Sequence, residues 1–200
     1  MTPEWSIDNR QPTILPGLPH LLRPGLDIVF IGYNPGLESA RVGHYYAFRG
    51  NVFWKQLNES GLVARRVSHV DDALLADEAA IGFTDLCCRP TARAGELTRA
   101  EIVEGALRLH GELLDYRPRF AVFSGRGIYQ AFGRHALRLA ATDLAARPYG
   151  AQLERIAAGP GAASTPFVIP SSSGLASKWH RERLEWLRQL AAILRAPAGP

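Results

Sequence analysis

The sequence predicts an α/β fold, a three-layer α/β/α sandwich around a short, mainly parallel sheet. Four apolar segments of four to seven residues, rich in β-branched and aromatic side chains, alternate with amphipathic stretches of helical period. Each apolar segment runs directly into a loop of Gly, Ser, Pro or Asn, the pattern of parallel strands covered by helices on both faces. With 200 residues, 46% apolar and 21% charged, the chain suits one soluble domain spanning residues 1–200.

Residues 1–25 carry Pro3, Pro12, Pro16, Pro19 and Pro24, which disfavour regular helix and predict an arm over the domain surface. Asp27 to Tyr33 (DIVFIGY) is the first strand, ending at the turn Asn34-Pro35-Gly36. A helix follows from the capping Asn51 to Gly61, with Val52, Phe53, Trp54 and Leu57 at near-helical spacing. Ala80 to Leu86 is the second strand, and Thr98 to Leu114 an amphipathic helix that Thr98 and Glu101 open as a capping box. Phe120 to Phe123 is the third strand; Ser124-Gly125-Arg126-Gly127 turns into a helix reaching about Phe132. The fourth strand is Phe167 to Pro170, and the last helix runs from about Ser177 to Leu194, leaving a tail at 196–200 that should fray.

Composition excludes several classes. No apolar run approaches the ~20 residues of a bilayer span, and the N-terminus lacks a basic segment followed by an apolar one, so no membrane partner is expected and an intracellular, cytoplasmic setting is, nucleoid-associated in a bacterium. Cys87 and Cys88 are adjacent, so they cannot cross-link distant segments or supply a four-ligand metal site. Neither a metal nor a cofactor is implied. The net charge is +4, and only Lys55 and Lys178 among the cations are lysine. Arginine suits bidentate phosphate contact, but so small an excess does not establish a polyanionic partner.

In open α/β sheets, ligands bind beyond the carboxyl ends of the strands. Four loops qualify: Asn34 to Ala47, Asp85 to Thr91, Ser124 to Gly127 and Ser171 to Ser177. Asn34 can orient a water through both its carbonyl and its NH₂, or simply cap the turn. Tyr46, in the glycine-flanked aromatic run Gly43 to Phe48, suits either base stacking or packing. Ser171, Ser172, Ser173, Gly174, Leu175, Ser177 and Lys178 offer hydroxyls, amides and a cation to phosphates at the start of the last helix. Leu175 stands at the crest of that loop, either as a wedge between base steps or tucked beneath it.

Two ordered stretches, GYNPGLESARVGHYYAFRGNVFWKQLNESGL (Gly32 to Leu62) and IPSSSGLAS (Ile169 to Ser177), resemble the two motif regions of mismatch-specific uracil-DNA and thymine-DNA glycosylases. GFTDLCCRPT and FAVFSGRGIYQAF resemble the family's intervening segments, so the resemblance extends over roughly Leu26 to Leu190. It implies a uracil-DNA glycosylase-like sandwich without metal that hydrolyses the N-glycosidic bond of uracil, or of thymine opposite guanine, in double-stranded DNA. Asn34 then falls on the water-positioning asparagine, Tyr46 on the base-stacking aromatic and Leu175 on the residue entering the duplex, with Ser173 and Gly174 in the same loop. The backbone of Gly32 and Tyr33 would line the pocket. Ser171 departs from the pattern, standing where other branches put histidine or asparagine beside the leaving pyrimidine.

Asp85 receives its role from chemistry rather than from the resemblance. A carboxylate near the anomeric carbon can steady a cationic sugar and accept a proton from water. Asp85 is the acidic residue of its loop and is expected to align the attacking water with Asn34; the alternative is an ion pair with Arg89. The reading is a monomeric, monofunctional glycosylase acting on U·G or related mismatches in base excision repair; Lys55 and Lys178 are not placed for Schiff-base lyase chemistry. The alternative function is a non-catalytic mismatch- or damage-binding protein. His44 is expected near the pocket mouth, His20, His69, His110, His135 and His180 as surface or capping groups, and Arg181, Arg183 and Arg188 on a solvated helix face, from which Arg181 with Lys178 could still meet phosphate.

Overall fold

The computed structural model describes residues 15–157, 159 and 163–196. Residues 1–14 of the arm and 197–200 of the tail lie outside the described residues. Five strands form one sheet in the order β2-β1-β3-β5-β4: β1 is Ile28–Gly32, β2 Ile81–Asp85, β3 Phe120–Phe123, β4 Gly150–Ala151 and β5 Thr165–Val168. All neighbouring pairs are parallel except β4 with β5. The expected three-layer, mainly parallel sandwich is therefore observed.

Alternation along the strands separates two cores. Ile28 and Phe30 of β1, Ile81 and Phe83 of β2, Phe120 and Val122 of β3, and Phe167 of β5 face one layer. That layer is built by α2 (Phe53–Ser60), α3 (Leu75–Ala79) and α7 (His180–Arg195) through Phe53, Leu57, Leu75, Leu187 and Leu190. Val29, Ile31, Ala121, Phe123 and Val168 face the other, against α4 (Arg99–Tyr116), α5 (Arg126–His135) and α6 (Ala141–Ala146). Period-2 side-chain placement thus converts continuous apolar runs into two buried faces.

Several boundaries differ from expectation for local reasons. The loop after β1 contains a short helix, α1 (Leu37–Val42), which closes on Gly43 in the left-handed region. Asn51 Oδ1 accepts the Phe53 N–H at 2.9 Å, so the expected cap acts two residues before α2. Thr98 and Glu101 do form the capping box of α4. Strand β5 begins two residues before Phe167 and includes Pro166, paired with Ala121. Proline lacks an N–H, and the ladder to β4 reaches only the Gln152 N–H donated to the Pro166 carbonyl before it stops. The last helix starts at His180 rather than Ser177, because a six-residue 3₁₀ turn, Gly174–Trp179, precedes it and kinks at Ala176. In the arm, Leu18 is buried and Leu21 pairs antiparallel with Phe83, extending the sheet beyond β2. Among the described residues, no helix is long and apolar enough to cross a membrane.

Candidate active site

Strand order reverses at β1, with β2 on one side and β3 on the other, so the loops leaving their carboxyl ends part there, the position at which open α/β sheets bind ligands. Side-chain and backbone contacts hold the four loops together around it. Asn34 Nδ2 donates to the Arg89 carbonyl at 2.8 Å and to Thr91 Oγ1 at 2.7 Å, joining the first loop to the second. Tyr46 Oη and Ser124 Oγ are 3.2 Å apart, joining the first to the third. Val52 N–H donates to the Ser172 carbonyl at 3.1 Å, and a Cβ on Gly174 would stand 3.2 Å from the Gly50 carbonyl, joining the fourth loop to the segment between the first loop and α2. Ser171 Cβ lies 4.0 Å from where a Cβ on Gly125 would be, completing the ring.

Asp85 sits at the end of β2 in register with Gly32 at the end of β1. Paired residues of parallel strands face the same way, and glycine leaves room for the carboxylate: a Cβ on Gly32 would lie 2.1 Å from Asp85 Oδ1 and 3.6 Å from Tyr46 Oη. Carboxylate and phenol therefore converge over one backbone position. Asp85 is only 5% exposed, and among the described residues no hydrogen-bond donor reaches its side chain. Burial pushes its pKa up to about 7, opposed by the positive charges of His20 and Arg108. The alternative ion pair with Arg89 is not formed; Arg89 Nε is 2.6 Å from Glu101 Oε1 instead. Gly32→Ala is expected to cost about 1–3 kcal/mol, because the methyl must displace a packed carboxylate, and urea denaturation at pH 6 measures it. An unchanged midpoint would mean that Asp85 swings away freely.

Asn34 does not keep both amide groups available. Its NH₂ is committed to Arg89, Thr91 and, at 3.3 Å, the Pro35 carbonyl, which leaves Oδ1 as the group able to accept from a water. Tyr46 is partly buried, with φ +54°, and its ring stacks on Phe53 at 4.0 Å and 9°. The unusual backbone angle is fixed by its neighbours: Tyr45 N–H donates to Asp72 Oδ2 and Tyr45 Oη to the Pro19 carbonyl, while Ala47 N–H donates to Ser39 Oγ. Burial and the Asp85 charge push the Tyr46 phenol upward, so it remains a neutral ring at any physiological pH.

The serine loop is ordered by its own side chains. Ser171 Oγ accepts the Ser173 N–H, and Ser173 Oγ accepts the Leu175 N–H, while Ser172 is buried. Leu175 is 100% exposed at the crest, and Ser177 and Lys178 are exposed beside it. The backbone of Gly32 and Tyr33 is spent partly on the sheet edge, their carbonyls accepting from Leu86 and Cys87. The Tyr33 side chain packs on the opposite layer, away from Tyr46. Sequence reasoning missed Thr91 and Ser124 as partners of Asn34 and Tyr46, although both lie in the loops it selected. It also missed His20, which is half-buried, not superficial, and Arg183, which is 0% exposed rather than solvated.

The chain matches the family described as the uracil DNA glycosylase superfamily over residues 19–195. It is 34% identical over 122 residues to a G/U mismatch-specific uracil DNA glycosylase of the fission yeast Schizosaccharomyces pombe, a match covering 60% of this chain but 37% of that protein. The fold is similar to the solution NMR structure of a candidate uracil DNA glycosylase from Methanosarcina acetivorans, with a TM-score of 0.56 at 22% identity over 88% of this chain and 98% of that one.

Proposed function

The chain belongs to the uracil DNA glycosylase superfamily, and we propose that it is a monofunctional glycosylase that hydrolyses the N-glycosidic bond of uracil flipped from double-stranded DNA, favouring pairs with guanine. The carrying observation is the convergence of Asp85, Tyr46 and Gly32 at the strand switch point, with Asn34 fixed by the neighbouring loop. The extruded base stacks on the face of the Tyr46 ring opposite the one that stacks on Phe53. Asp85 accepts a proton from a water that also donates to Asn34 Oδ1, and the oxygen attacks the anomeric carbon as the base leaves with the bonding electrons. The same carboxylate steadies the cationic sugar until the bond forms. The Ser171 hydroxyl can still donate one hydrogen bond to the departing pyrimidine while its Oγ accepts from the Ser173 N–H. Leu175 fills the gap in the base stack, and Ser173, Gly174, Ser177 and Lys178 present amides, hydroxyls and a cation to the backbone, while the expected contact from Ser172 is withdrawn because its side chain is buried. The protein acts as a monomer in the cytoplasm or nucleoid and leaves an abasic site for base excision repair.

Base release from U·G, U·A, T·G and single-stranded uracil substrates, in the presence of chelator, tests this. Release from U·G is expected, with none from free deoxyuridine. Leu175→Ala should slow release from the duplex about tenfold or more while sparing the single strand, where no stack has to be opened. Tight mismatch binding without an abasic product would overturn the enzymatic reading; equal losses on both substrates would remove the wedge.

A further inference from the structure

Cys88 is exposed three residues beyond Asp85 and has no part in the base-release chemistry above. Its Sγ lies 3.5 Å from His20 Nε2, and His20 Nδ1 lies 2.5 Å from Glu112 Oε1. A carboxylate oxygen that close faces an N–H, so Nδ1 carries a proton and Nε2 is the nitrogen turned to the thiol. Glu112 is fixed in turn by Arg108 Nη1 at 2.7 Å and Thr84 Oγ1 at 3.3 Å. Thiol, imidazole and carboxylate come from three separate segments: the loop after β2, the arm before β1, and α4. Base and orienting acid in line behind a nucleophile are the arrangement that activates cysteine. A cleft of about 180 Å³ opens beside Cys88, lined also by Cys87, Arg89, Glu101, Glu104, Gly105 and Arg108. It gives a small reagent access to the sulfur.

We propose that Cys88 is a nucleophilic modification site that forms mixed disulfides with small-molecule disulfides and thereby slows base release. The thiol proton passes to His20 Nε2. The thiolate attacks one sulfur of the disulfide; the Cys88 Sγ–S bond forms as the reagent's own S–S bond breaks. The leaving sulfur keeps the bonding pair of the broken S–S bond, takes the proton from the imidazolium and departs as a thiol, so that Cys88 Sγ rises to the disulfide level as that sulfur falls to the thiol level. Electrostatics agree with the geometry: the contact with His20 lowers the Cys88 pKa, while Cys88 and Glu112 raise that of His20 to about 9. The charged groups facing His20 are Cys88 and Asp85 of the β2 loop, and Arg108 and Glu112 of α4. Cys87, by contrast, is buried with its Sγ toward the Glu101 carbonyl, and burial pushes its thiol up to about 11.

The adduct reaches the site through the chain. Arg89, the next residue, supplies the carbonyl that holds Asn34, and Arg108 Nη2 bonds the Asp85 carbonyl at 2.5 Å. This coupling rests on the glycosylase reading; the thiol chemistry does not.

Treating the protein with hydroxyethyl disulfide at pH 7, followed by peptide mass mapping, is expected to give one adduct, on Cys88. Alkylation by iodoacetamide should titrate below the ~8.5 of an ordinary cysteine and slow about tenfold at pH 7 in His20→Gln. Glu112→Gln should move the profile in the same direction. Uracil release should fall at least several-fold on modification and return with dithiothreitol, while Cys88→Ser releases uracil normally and ignores the reagent. An ordinary alkylation profile in the wild-type protein, or an adduct equally on Cys87, overturns the site. An adduct with unchanged release overturns the coupling alone. An unmodified protein that releases no uracil overturns the glycosylase reading, and the adduct still decides the thiol.

Discussion

Asp85→Asn is expected to slow single-turnover uracil release by about two to four orders of magnitude, the range that loss of a general base takes, and to make the protein more stable. Both effects come from the same burial. In the wild type, the rate should climb tenfold per pH unit below about 7 and level off above it, because only the ionised carboxylate can take a proton from water. Asp85→Asn should flatten that limb. For stability, the native carboxyl holds its proton up to about pH 7 and an unfolded one only to about 3.9, so the folded state binds more protons between those values. Wild-type stability therefore falls as pH rises through that window. The advantage of Asp85→Asn should grow over the same window to a plateau of about 2–4 kcal/mol above pH 7. Parallel rate and urea-denaturation series from pH 5 to 9 measure the two. If Asp85→Asn keeps the wild-type rate while Asn34→Ala loses it, the carboxylate is not the base.

The features readable from sequence were those set by local chemistry. Two cores follow from alternation in runs such as Ile28 to Gly32, and the Thr98 to Glu101 capping box needs nothing outside its own turn. The loops at the sheet rim were legible because parallel strands must end in them, whereas Leu175 stood between wedge and packing until the structure placed its side chain fully in solvent. Long-range partners were not. Whether Asp85 meets Arg89 depends on Glu101, sixteen residues away on another element, which captures the guanidinium first. The clearance over Gly32 appears only when β1 and β2 are in register. His20 looked idle because its partners, Cys88, Glu112 and Arg108, are brought to it by the arm crossing β2 and by α4. Two-residue β4 is too short for any periodicity, and Pro166 disguised the start of β5.

Gln56→Leu should destabilise the fold by about 2–4 kcal/mol, whereas Arg183→Met should be neutral or stabilising by about 1–4 kcal/mol. Arg183 was expected on a solvated face, but α7 carries it inward, where its guanidinium carbon lies 5.3 Å from the Phe53 ring centroid. Its Nη1 donates to Gln56 Oε1 at 2.6 Å, while Nε and Nη2 have no partner among the described residues. Burial drives its pKa down to about 10, a sign that the charge is held at a cost even with that one acceptor. Removing Gln56 strands the cation and also frees the His180 carbonyl that Gln56 Nε2 bonds at 2.6 Å. Removing the cation itself relieves desolvation and leaves a thioether of similar length to fill the space beside Phe53. The double variant should therefore recover most of what Gln56→Leu loses, and a coupling energy from thermal or urea unfolding of all four proteins isolates the pair. If Arg183→Met proves as costly as Gln56→Leu, the guanidinium has partners, such as bound water, that repay its burial, and the cation stabilises the layer behind Tyr46 instead of straining it.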